Sequence, residues 1–196
     1  MDRPTEIVPS ASLTEFFKDM IEAARSHQRV TVQQSTEFYL VNLLSEYLTA
    51  RGPAADAEPL AFMLKRAQEA TGFERVRELK RLGDTSLYVS GFFGESLDHG
   101  LVDVDYYVSM GGRAYAVISE TFQGQSGGAG SLYAELAQKF GQLVSLLAEV
   151  SERAALGTNQ GLIKVYEKFL KTGSDRMARL LCEQGMLPMA KPGLVQ

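Results

Sequence analysis

The chain has 196 residues, 45% of them hydrophobic and 22% charged, with a formal net charge of −4. That length can bury a substantial core without disulfides or structural metals, and the acidic balance gives no global electrostatic case for nucleic acid or an anionic membrane. Cys182 is the single cysteine, which excludes an intramolecular disulfide and makes a reducing cytoplasm the expected home.

The first residues, "MDRPTEIVPSAS", lack the basic and apolar regions of a signal peptide. No apolar run reaches the ~18 residues a membrane span requires. Residues 1–11, with Pro4 and Pro9, read as a flexible leader. Leu13, Phe16, Phe17, Met20, Ile21 and Ala24 then recur at helical spacing, and Ser12 with Glu15 makes a capping-box pattern. "RVTVQ" (29–33) is briefly β-like but has no neighbouring strand to pair with, so it reads as an extended connector.

A second helix places Phe38, Val41, Leu44, Tyr47 and Leu48 on its inner side and stops at Gly52-Pro53. After the linker "PAADAEP", Pro59 suits the first turn of a third helix, which Gly72 ends. The fourth helix opens at Phe73 as a charged amphipath. It becomes apolar on nearly every side through Leu82, Leu87, Tyr88, Val89, Phe92 and Phe93, the pattern of a helix buried all round. A fifth helix is expected from Val104 to Phe122 and a glycine-rich loop over 123–131. Leu136, Phe140, Leu143, Leu147, Val150 and Ala154 form the seam of a sixth. "LIKVYEKFLKTG" and "SDRMARLLCEQG" supply a seventh and an eighth. The expected fold is therefore all-α: a single-domain bundle of about eight helices over 12–187, without significant β-sheet, and with an irregular tail over 188–196.

Between Gly83 and Val117 the chain mixes glycines with tyrosines and phenylalanines. A helical glycine costs about 1 kcal/mol relative to alanine, so Gly83, Gly91, Gly111 and Gly112 imply a compensating gain. Close approach of the fourth and fifth helices is the simpler account. The functional account is a flat ligand held between aromatic walls at Tyr88, Tyr107 and Tyr115, with Arg113 and Asp84 as its polar groups. Asp84 has two further readings: local pairing with Lys80 or Arg81, or a buried pair with Arg113 that sets helix register.

Other chemistry finds little support. Asp98, His99, Asp103 and Asp105 could hold a divalent ion, but His27 is the only other histidine, and helix capping by Asp103 or Asp105 explains the acids. No metal site is assigned. Cys182 lies on an apolar face with no base close by in sequence, which suits a core residue better than a nucleophile. Phosphate-loop and Gly-x-Ser-x-Gly patterns are missing, so no cofactor and no catalytic residues are expected. The "KTGS" turn is compatible with helix-turn-helix, yet an ordinary helix hairpin explains the same letters, and nucleic-acid binding is not expected.

What is left is a non-enzymatic cytoplasmic regulatory or adaptor protein that binds another protein, or itself as a homodimer. Its expected interface is the seventh helix, with Tyr166 and Phe169 as apolar contacts and Lys164, Lys168 and Lys171 as a basic rim. The alternative is a helical carrier or sensor of an apolar or planar small ligand held between the aromatic-rich central helices.

Overall fold

The computed structural model describes residues 11–50, 58–94, 103–124 and 127–156, and, further along, Met177, Arg179 and Leu181. Among the described residues the chain is all-helical, with no strand. The helices are α1 (Ala11–Gln28), α2 (Gln34–Ala50), α3 (Leu60–Glu69), α4 (Gly72–Phe92), α5 (Val104–Thr121), α6 (Ala129–Gln138) and α7 (Phe140–Leu156). The expected seventh helix lies outside the described residues; Met177, Arg179 and Leu181 are helical, within the span expected for the eighth. Where the sequence suggested one domain, the contacts group the residues into two compact units, 1–148 and 149–196. In the second unit Arg153 pairs with Glu149 one turn earlier, at 2.9 Å. No helix among the described residues is long and apolar enough to cross a membrane.

The first unit is organised around α4, which packs against α2, α3 and α5. Every residue from Leu82 to Gly91 is buried, as the all-round apolar pattern requires. Its glycines are contact points. An added Cβ at Gly83 would run into the Tyr115 ring of α5, and one at Gly111 would lie 2.6 Å from Ser86 of α4. Gly91 departs from the expectation. It faces Leu147 of α7, 2.6 Å from an added Cβ, rather than α5.

The expected sixth helix is two helices. Lys139 leaves helical geometry between α6 and α7, yet hydrogen bonds from Lys139 N to Glu135 O and from Leu143 N to Lys139 O continue on either side. The interruption is one residue long, and Leu136, Phe140, Leu143 and Leu147 of the seam all remain buried. The glycine-rich segment is shorter than expected, because α6 already starts at Ala129; Gly124, Gly127 and Gly128 take positive φ there.

On α2 the buried face runs through Thr36, Leu40, Leu43, Leu44 and Tyr47, whereas Phe38, expected inside, is 65% exposed. Phe38 sits two positions from Leu40, about 200° around the helix. Of the connector expected to be extended over 29–33, Arg29 instead takes a left-handed turn with φ 55°, residues 30–33 are neither helix nor strand, and polar groups clip the segment to α6. Glu135 accepts from Gln33 N at 2.9 Å, from Thr36 Oγ1 at 2.5 Å and from Lys139 Nζ at 2.8 Å, while Lys139 also donates to Thr31 O. Burial by itself would raise the Glu135 carboxyl, but the hydrogen bonds from Lys139, Thr36 and Gln33 outweigh it and hold the group below its ordinary 4.5. Folding therefore favours the ionised form. Its contribution is present above pH ~4.5 and drains away as pH falls through the lowered value. Urea unfolding of wild type and Glu135→Gln should show a stability gap that is full near neutrality and shrinks on acidification. A gap independent of pH would show that this carboxylate is not stabilised by folding.

Candidate functional site

Asp84, on the buried stretch of α4, is the hub of the polar core. Tyr39 from α2 donates its hydroxyl to Oδ1, as does Tyr115 from α5 at 2.7 Å, and Lys80 one turn earlier donates to Oδ2 at 2.5 Å. The Tyr39, Tyr115 and Tyr133 rings pack mutually, with centroids 5.7–6.2 Å apart, and the Lys80 ammonium lies over the Tyr39 ring. Burial, and after it the negative charge of Asp84, pushes both donor phenols well above their ordinary range. Burial would lower the Lys80 ammonium, but the charge of Asp84 outweighs it and raises the group. The phenols thus stay protonated and act as fixed donors. Their arrangement ties α2, α4 and α5 together.

The expected pairing of Asp84 with Lys80 is therefore present, and the alternative pair with Arg113 is not: Arg113 is exposed on α5. The three tyrosines expected to wall a ligand lie in separate aromatic clusters. Tyr115 is with Tyr39, Tyr133 and Phe140; Tyr88 is with Tyr47, Phe92 and Phe93; Tyr107 is with Tyr106. Protein rings fill the space around Tyr88 and Tyr115, both fully buried. Asp103 caps α5 by accepting from Tyr106 N at 2.9 Å, while Asp98 and His99 lie outside the described residues. Lys164, Tyr166, Lys168, Phe169, Lys171 and Cys182 also lie outside them.

An open site lies elsewhere. A cleft of about 440 Å³ runs between α3, α4 and α5. Its floor is hydrocarbon, from Leu64 and Ala67 of α3, Leu79 and Leu82 of α4, and Ala114 of α5. Gln68, Ser109, Arg75 and Arg113 supply the polar wall. The α3–α4 turn that shapes it is held by Arg66, which bonds Glu58 at 2.7 Å and Glu78 at 3.2 Å. Of the expected ligand residues, only Arg113 lines this cleft. The sequence does carry a signal for part of it: Arg75, Leu79 and Leu82 follow at i, i+4 and i+7, one face of a helix. Nothing in the letters, however, says that α3 and α5 stop short of covering that face.

Compared with protein-family models, with curated protein sequences and with solved structures, the chain gives no match.

Proposed function

We propose that this chain is a non-enzymatic helical binding protein whose ligand is a small organic molecule seated in the α3–α4–α5 cleft. The observation that carries the reading is the cleft itself. Its volume of about 440 Å³ falls within the ~300–1,000 Å³ common for ligand pockets, and it combines an apolar floor with a few polar groups at the wall. The absence of a catalytic role is part of the proposal, supported by the burial of Asp84 and Tyr115. With one cysteine, a reducing compartment such as the cytoplasm suits the chain.

The chain has no tryptophan, so a single introduced indole is both a plug and a clean reporter. Gln68 and Ser109 are exposed residues at the cleft wall, where a large ring can be added without disturbing the core. The neutral probe N-phenylnaphthylamine, which brightens in apolar surroundings, is expected to bind the wild type saturably. Gln68→Trp and Ser109→Trp should each abolish that signal while leaving the melting curve unchanged. Undiminished probe binding in both variants would remove the cleft as the ligand site.

A protein-binding role is the second reading, and Phe73 supports it. At 80% exposure it is the most open of the large apolar side chains among the described residues, and aromatic rings are frequent anchors of interfaces.

A further inference from the structure

Building on the cleft reading above, we infer that the ligand is an amphipathic organic anion: a short hydrocarbon with one terminal oxyanion, carboxylate or phosphate, gripped by Arg75 and Arg113. Most of the other described arginines of the first unit are paired with a glutamate. Arg25 pairs with Glu37 at 3.0 Å, Arg66 with Glu78 at 3.2 Å, Arg77 with Glu74 at 2.5 Å, and Arg81 with Glu58 at 3.7 Å. The side chains of Arg75 and Arg113 have no ion-pair or hydrogen-bond partner among the described residues; the two glutamates of α4, Glu74 and Glu78, pair with Arg77 and Arg66 instead. Arg29, which also lacks one, sits apart on the α1–α2 connector.

A solvated arginine is ordinary on a surface. Here two of them, from different helices, border one hydrocarbon-floored cleft, and no acidic residue lines it. Glu120 borders the neighbouring hollow that Arg75 also lines, and makes no ion pair with it. The cleft therefore presents two uncompensated guanidinium groups beside an apolar floor. A planar guanidinium forms paired, charge-assisted hydrogen bonds to carboxylate or phosphate, the geometry an ammonium does not supply. A wholly apolar ligand would instead strip water from the two charges and return no hydrogen bonds. The hydrocarbon part of the ligand fits the floor at Leu79, Leu82 and Ala67, all buried side chains, and the cleft volume suits a chain of modest length.

The test uses the full chain and three probes of equal length: octanoate, octyl phosphate and octanol, titrated by calorimetry. The anions are expected to bind at least about tenfold more tightly than the alcohol, the effect of one or two hydrogen bonds to a charged group. The tighter of the two anions identifies the head group. In the double variant Arg75→Gln/Arg113→Gln, both exposed positions, the anions should fall to the affinity of octanol while octanol itself is unchanged. Restoring charge with Arg75→Lys/Arg113→Lys should recover part of the difference. A wild-type ratio of anion to alcohol near one overturns the inference even if a variant folds poorly. If octanol matches both anions and Ser109→Trp abolishes all three, the cleft stands as a site and the anion inference is overturned. An anion preference that survives in the double glutamine variant overturns it too. If none of the three probes binds, the cleft reading falls along with it.

Discussion

Replacing Asp84 with alanine is expected to lower the unfolding free energy by roughly 2–4 kcal/mol, because the buried phenol of Tyr115 and the half-buried phenol of Tyr39 lose their acceptor at once. An unsatisfied buried hydroxyl costs about 1–3 kcal/mol, and Tyr39 and Tyr115 both donate to Asp84 Oδ1. Lys80 adds little to the sum, since its side chain is 41% exposed and turns to water when its partner is removed. For a domain of this size the melting temperature should drop on the order of 10 °C. Asp84→Asn is the informative comparison. The amide oxygen still accepts from both tyrosines while the charge is lost, so the cost should be less than half that of alanine. Urea and thermal unfolding measure both. An alanine variant melting within about 2 °C of wild type would mean that the hydroxyls find other partners and that Asp84 is not the hub.

Gly111→Leu should be at least as damaging, by a different route. A Cβ at this position would already lie 2.6 Å from Ser86 Cβ and from the Phe140 ring, so α5 would have to separate from α4 and α7. Overpacking of this kind costs about 1–3 kcal/mol and sometimes more, and a leucine with three further carbons belongs at or above the upper end. Gly111→Ala gains about 1 kcal/mol of helix propensity against its own smaller clash, so it should destabilise less. Gly141 supplies the opposite sign. It lies in α7 with open space around an added Cβ, and Gly141→Ala should be neutral or slightly stabilising. Equal melting temperatures for Gly111→Leu and Gly141→Ala would refute the close approach of these helices.

Helix periodicity made the elements themselves legible, and the transition of α4 from amphipathic to apolar all round correctly marked the element that the others enclose. The partners of Asp84 were harder to read. Lys80 is one turn away and was found by spacing, but Tyr39 and Tyr115 lie 45 and 31 residues away in sequence. Tyr39 also sits beside Phe38, and on hydrophobicity alone Phe38 is the better candidate for the core. The decision went to the phenol because its hydroxyl reaches a buried carboxylate, an advantage only tertiary structure reveals. Gly91 shows the same limit: close packing followed from its place in a helix, whereas its partner Leu147 did not. The cleft is further still from the letters, since it depends on where three helices fail to meet.

The hairpin of α1 and α2 is joined to the rest of its unit in an unusual manner. α1 packs chiefly on α2, and α2 meets α4 and α6 over small areas. Polar contacts add direction to the apolar ones: Tyr39 to Asp84, Tyr47 to Thr85 at 2.8 Å, and the Glu135–Lys139 clip on the connector. Hydrocarbon surfaces slide past one another at little penalty for each small step, whereas a phenol aimed at a carboxylate is either seated or lost. The hairpin therefore has one seated position: its buried hydrocarbon face supplies the adhesion, and these few directional bonds set the register in which it lies.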